Sequence, residues 1–262
     1  MSEFVTTRHG DRVAFDRYGQ GPALVFVAGA GPYREIDPTT TQTAQRAAEL
    51  GLTTVVYDRL GRGESRAEGV IDLDRELAAL DALIGTVGGR AALCGHSSGS
   101  SISLRAAAAG LAVDALALWE APLGPEGGEA KEWAAEVERR LDAGDHAGAV
   151  EHYMKDMPPQ FLEWLQNSPL WPQFVANAPG LRADGESLVW AESAPLADLL
   201  GEVRVPVLAM VGEQTFDEMT VAVERILDAV PGAVSKRMPG AEHSWEAEPM
   251  AVELAAFVLR AR

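Results

Sequence analysis

The sequence predicts an α/β fold, with a mostly parallel sheet, helices on both faces, and a helical segment inserted between two of the strands. Three observations carry this expectation. Short apolar runs alternate with helix-like segments from Ala23 to Trp119, the rhythm breaks after Pro122 into proline-interrupted and aromatic-rich pieces, and it resumes at Val205. Strands covered on both faces read as continuous apolar runs rather than alternating ones, which is the pattern seen here.

Taken in order, Phe4 to Arg8 and Arg12 to Tyr18 flank His9-Gly10-Asp11 and read as an opening hairpin. Ala23 to Ala28, Thr53 to Tyr57, Ala91 to Cys94 and Val113 to Trp119 are the next expected strands, separated by helices at about 39–50, 72–85 and 98–110. Residues 125 to about 197 lack strand alternation. Pro158, Pro159, Pro169, Pro172 and Pro179 interrupt them, so several short helices are expected rather than one long one. The sheet pattern then returns with Val205 to Val211, a helix from Asp217 to Val230, a short strand near Ala233 to Arg237 and a last helix from Pro249 to Arg260. The expected organisation is a core of residues 1–122 and 198–262 with an insert of 123–197.

Such an insert belongs at the carboxyl edge of the sheet, where open α/β folds bind ligands. Trp133, Tyr153, Met157, Phe161, Trp164, Trp171 and Trp190 are therefore candidates for an apolar pocket wall, the alternative being a small core of the insert itself. The implied partner is a small, moderately apolar molecule.

Composition narrows the partners further. Lys and Arg total 22 against 39 Asp and Glu, a formal charge of -17, which disfavours an extended nucleic-acid footprint. No basic segment leads into an apolar one at the start, and no run approaches a membrane span, so a cytoplasmic protein without membrane partners is expected. Cys94 is the only cysteine, which rules out an intrachain disulfide, and its apolar neighbours suggest a buried thiol. No compact set of His, Cys and carboxylates suggests a metal. Gly29 and Gly31 do not form a dinucleotide fingerprint, and no cofactor is expected. A homodimer is an expectation from base rates alone.

The chemistry centres on Gly95-His96-Ser97-Ser98-Gly99, which follows an apolar strand and opens a helix. A serine hydroxyl needs exposure and a base to act as a nucleophile, and a sharp strand-to-helix turn between glycines provides the exposure. On such a turn His96 points elsewhere, as a structural or pocket-lining residue. The Ser98 N–H, at the helix start, can face a developing oxyanion. The base should come late in the chain, and Pro239-Gly240-Ala241-Glu242-His243 supplies His243 between the last strand and the last helix. A second oxyanion donor is expected from Ala30 in the loop Val27 to Pro32.

With these pieces in place the sequence resembles the α/β-hydrolase superfamily across nearly its whole length. The resemblance rests on Val25 to Pro32, Asp58-Arg59-Leu60-Gly61-Arg62-Gly63-Glu64-Ser65, Gly95 to Gly99, Pro206 to Gly212 and Pro239 to His243. It implies an eight-stranded sheet, a helical cap over the site, Ser97 as nucleophile, His243 as base, and Ala30 and Ser98 as oxyanion donors. It also implies that Asp58 supports its loop, while Arg59 and Arg62 make a loop salt bridge or meet an anionic substrate.

The sequence departs from the family at the acid. Where the family commonly has an aspartate after the next-to-last strand, Gly212-Glu213-Gln214-Thr215 has threonine. Asp217 lies two residues on. The family's other solution, an acid after the preceding strand, is met by Glu120, and Glu120 ranks above Asp217 because a carboxylate at an apolar strand end needs a partner such as a histidine ring. The expected reaction is hydrolysis of a carboxylic ester or lactone through an acyl-Ser97 intermediate. Two alternatives stand beside it, a carbon-carbon lyase or cyclase using His243 for proton transfer and a noncatalytic small-molecule receptor.

Overall fold

The computed structural model describes residues 2–261, and its organising element is an eight-stranded sheet. Strands β1 (Glu3–Thr6) and β2 (Arg12–Gly19) form the expected opening hairpin. They are followed by β3 (Ala23–Val27), helix α1 (Pro38–Glu49), β4 (Thr53–Tyr57), α2 (Leu73–Thr86), β5 (Ala91–His96), α3 (Ser98–Ala108) and β6 (Val113–Trp119). After the insert come β7 (Val207–Gly212), α10 (Asp217–Ala229), β8 (Val234–Met238), a two-stranded ribbon of β9 (Gly240–Ala241) and β10 (Ser244–Trp245), and α11 (Ala247–Arg260). The spatial order is β1-β2-β4-β3-β5-β6-β7-β8, antiparallel at β1, β2 and β4 and parallel from β4 onward.

Side chains of the central strands alternate between two cores, as a two-residue period requires. Val25, Val27, Leu93, Leu116 and Leu118 pack with Leu77 and Leu80 of α2, Ile102 of α3 and Ile226 of α10. Leu24, Phe26, Cys94, Ala117 and Trp119 pack on the opposite face with Ala44 and Ala47 of α1 and Met250 and Leu254 of α11. Helix α1 starts where Asp37 caps it, the Asp37 side chain accepting the Thr40 N–H. Helix α11 begins two residues before Pro249, which is tolerated in a first turn because its missing N–H would have no intrahelical acceptor there.

The insert between β6 and β7 is built of short helices joined by loops, as its prolines suggest. It contains α4 (Ala130–Asp142), α5 (His146–Tyr153), α6 (Pro159–Gln166), α7 (Trp171–Asn177), a 3-10 turn at Ala178–Gly180, α8 (Leu181–Glu192) and α9 (Leu196–Leu199). Pro159 and Pro172 fall in the first turns of α6 and α7. Val137, Ala149, Val150, Leu165 and Leu181 give the insert a small core, and α8 ties it to the sheet by packing on α3.

The register is what positions the site. His96 of β5 pairs with Trp119 of β6, which pairs with Met210 of β7. Ser97 and Glu120, the residues that follow β5 and β6, therefore leave the same edge of the sheet side by side. Leu93, fully buried in β5, reports on this frame. Leu93→Ala is expected to lower stability by about 2–5 kcal/mol, measured by urea unfolding.

Candidate active site

Ser97 occupies the strand-to-helix turn at φ 54 and ψ -129, a left-handed conformation uncommon for a residue with a side chain. Its flanking glycines are sterically required. A Cβ on Gly95 would lie 2.6 Å from the Gly99 carbonyl oxygen, and one on Gly99 would lie 2.7 Å from the Ala28 carbonyl oxygen. The Ser97 N–H donates to the Trp119 carbonyl at 2.9 Å, which ties the turn to the neighbouring strand.

His243 sits in the tight turn between β9 and β10, and the Nδ1 of its ring lies 2.6 Å from Oε2 of Glu120. That contact leaves Nε2 available for proton transfer. The Glu120 side chain is 1% exposed and its other oxygen accepts the Gly212 N–H at 2.9 Å. Burial alone would raise its pKa. The bond from His243, the nearby Thr215 hydroxyl and the Gly212 N–H outweigh burial and hold the carboxyl below its ordinary value. Thr215, three residues beyond β7, thus lies near the carboxylate without completing hydrogen-bond geometry. Asp217 is exposed at the start of α10, where its charge complements the helix dipole.

The main chain marks Ser97, Glu120 and His243, together with Glu242 beside the histidine. Among the described residues, the positive-φ positions other than glycine are Ser97, Glu120, Glu242 and His243. Such strain persists only where the surroundings impose it, and it concentrates at functional sites.

His96 faces the histidine loop and lines the cavity with Ser97 and His243. Its Nε2 lies 2.8 Å from the His243 carbonyl, which also accepts the Trp119 Nε1–H at 3.2 Å, and its ring meets that of Trp245 edge-on. Burial, reinforced by His243, lowers its pKa to about 4, so the ring is neutral and Nε2 is the donor.

In the loop between β3 and α1, a Cβ on Gly29 would stand 2.9 Å from the Ser97 Cβ, so only glycine permits this approach. Ala30, the next residue, lines the cavity beside Ser97 and His243. Ser98 is the first residue of α3, and its N–H is one of the four donors that a helix leaves without an intrahelical acceptor.

Arg59 and Arg62 reach neither solvent nor cavity. Both are fully buried behind the Gly29 loop and pair with Asp184 of α8, at 2.5 Å and 2.9 Å. Arg59 also lies 3.3 Å from Glu76 of α2. The sequence suggests a loop salt bridge, and the structure has a buried ion cluster instead, because its acids come from distant helices. Asp58 accepts the N–H groups of Arg34 and Glu64 and so braces its own loop.

Two cavities meet at Ser97, His243, Tyr153 and Met157. The smaller, about 260 Å³, is walled by Ile36, Met154, Phe161, Phe174 and Trp245. The larger, about 660 Å³, is lined by Trp133, Leu188, Phe216 and Met219 together with the charged Glu129, Lys155, Glu192 and Glu218. Of the aromatics and methionine expected on a pocket wall, Trp133, Tyr153, Met157 and Phe161 are there. The other three tryptophans are not. Trp164 is 56% exposed on α6, Trp171 packs against the insert's own core, and Trp190 packs toward the sheet core beneath Arg105. Short helices turn one face to the pocket and another to solvent or core, and composition does not say which. Ile36, Phe216 and Trp245 carry no pocket signal in the sequence, because they sit in loops and a two-residue strand with no periodicity to flag them. Among the described residues there is no group of three or more potential metal ligands and no helix long and apolar enough to cross a membrane.

Comparison with known proteins agrees with this geometry. Residues 24–256 match the family described as the alpha/beta hydrolase family, and the chain belongs to that family of enzymes. It is similar to an alpha/beta hydrolase from Sphaerobacter thermophilus, with 28% identity over 97% of this chain and 99% of that one and a TM-score of 0.83. A hydrolase from Pseudomonas aeruginosa (20% identity, 98% of each chain, TM-score 0.70) shares the fold. So does an esterase from Exiguobacterium antarcticum (19% identity, 99% of this chain and 100% of that one, TM-score 0.68). A search of curated proteins found no significant match.

The neutral His96 ring has a consequence for acid stability. Its pKa is about 4 in the folded chain against 6.5 as the ordinary value, so between these limits the unfolded chain binds more protons and stability falls as the pH drops. His96→Gln is expected to flatten that part of the stability curve, measured by urea unfolding near pH 7 and near pH 5.

Proposed function

We propose that the protein is a serine hydrolase that cleaves a carboxylic ester or lactone through an acyl-Ser97 intermediate. The observation that carries this reading is the 2.6 Å contact between His243 Nδ1 and the buried Glu120 carboxylate, beside a serine held at positive φ. A carboxylate there fixes the imidazole tautomer and stabilises the imidazolium that forms when the base takes a proton.

In this reading Ser97 Oγ attacks the carbonyl carbon while His243 Nε2 takes the hydroxyl proton. The carbonyl oxygen becomes an oxyanion held by the N–H groups of Ala30 and Ser98. As the tetrahedral species collapses, the imidazolium protonates the departing alkoxide. Water then attacks the acyl-serine with His243 again as base, and the acid leaves with Ser97 restored. The two cavities, which join at Ser97, suit the acyl and alcohol parts of one ester, and the apolar walls favour a moderately apolar substrate. The helical segment 123–197 acts as the cap that supplies much of those walls.

A fluorophosphonate probe should label Ser97 stoichiometrically, located by peptide mass spectrometry, and Ser97→Ala should abolish both labelling and hydrolysis of p-nitrophenyl esters. Absence of labelling in the folded wild-type protein would sink the acyl-enzyme route. Glu120→Gln is expected to lower kcat by about 10³–10⁴-fold, as loss of a triad carboxylate does elsewhere. Asp217→Asn should keep near wild-type turnover, and the reverse result would move the acid to Asp217.

A further inference from the structure

We propose that Asp184, contributed by the inserted helix α8, is a positioning residue that holds both oxyanion donors in place; this rests on the hydrolase reading above. One oxygen of its carboxylate accepts from Arg59 Nη1 at 2.5 Å and from the Ser98 hydroxyl at 2.7 Å, and the other accepts from Arg62 Nη2 at 2.9 Å. Asp184, Arg59, Arg62 and Ser98 are all fully buried.

The two arginines pass this anchorage to the loop beside the nucleophile. Arg59 Nη1 donates to the carbonyls of Ala28 at 3.1 Å and Gly29 at 3.3 Å. Arg62 Nη1 donates to the carbonyls of Gly29 at 2.5 Å and Pro32 at 3.3 Å. The Gly29 carbonyl and the Ala30 N–H belong to one planar trans peptide unit, in which the C=O and N–H vectors point in opposite directions. Two guanidinium groups drawing the Gly29 oxygen away from the cavity therefore turn the Ala30 N–H toward it.

The same logic applies to the second donor. The Ser97 carbonyl accepts the Ser100 N–H at 2.8 Å within the first turn of α3, so the Ser98 N–H of that peptide unit points out of the helix start. The Ser98 side chain, bound to Asp184, fixes this end of the helix relative to the arginines. Both donors are thus referenced to one carboxylate, and that carboxylate comes from the insert rather than from the sheet. Without its charge, the acid that remains paired with this cluster among the described residues is Glu76, on Arg59, and buried guanidinium groups left short of a counter-charge rearrange or draw in water.

The test uses the full chain as wild type, Asp184→Asn and Ser98→Ala. It compares p-nitrophenyl butyrate turnover with binding of an alkyl trifluoromethyl ketone, which forms an oxyanion on Ser97, and of the matching ether, which fills the cavity without one. For Asp184→Asn, kcat and ketone affinity are expected to fall together by about 10–100-fold, because small displacements of oxyanion donors act on the transition state. KM and ether affinity should stay within about threefold. Ser98→Ala, which keeps every charge of the cluster, should lower the same two quantities by a smaller factor and decides the matter if Asp184→Asn does not fold. A folded variant that loses only melting temperature, or one whose ketone and ether affinities fall equally, overturns the proposal. Wild-type protein that neither binds the ketone more tightly than the ether nor reacts with a fluorophosphonate overturns the hydrolase reading itself, and this proposal with it.

Discussion

The parallel register of β5, β6 and β7 is the constraint on which the rest depends. Because His96, Trp119 and Met210 lie in one row, the residues that follow these strands share one edge of the sheet, and loops as short as a single turn can bring them together. Ser97 and Glu120 need no long excursion to reach the site. Only the histidine arrives from further along the chain, and the short β9 and β10 ribbon supplies the turn that carries it.

The strands also supply the rigidity that the site consumes. Left-handed backbone at Ser97, Glu120 and His243 is unfavourable for residues with side chains, and each instance sits next to a well-bonded anchor. The Ser97 N–H is held by Trp119, the Glu120 N–H by Met210, and the His243 carbonyl by two ring donors, His96 and Trp119. The strain is spread over a hydrogen-bonded frame that fixes three side chains beside one another, the Glu120 carboxylate fully buried.

Much of this was legible in the sequence because it follows from local chemistry. Apolar runs of strand length, proline punctuation and a serine between glycines at a strand end each have a physical cause within a few residues. The placement of Glu120 was readable as a need, since a carboxylate after an apolar strand requires a partner. What the sequence did not reveal depends on contacts between distant segments. Asp184 carries no signal of its own in the sequence, because its partners Arg59 and Arg62 reach it from more than a hundred residues away. Trp164, Trp171 and Trp190 share a composition with Trp133 yet face elsewhere, because the rotation of each short helix is set by its neighbours.

Thr215 carries a broader meaning. Its hydroxyl lies near the Glu120 carboxylate, reaching it from the loop that follows β7. Two separate loops therefore converge on one small volume beside the imidazole. The ring specifies a location in space rather than a place in the chain, and here the Glu120 loop furnishes the negative charge while the Thr215 loop furnishes a hydroxyl.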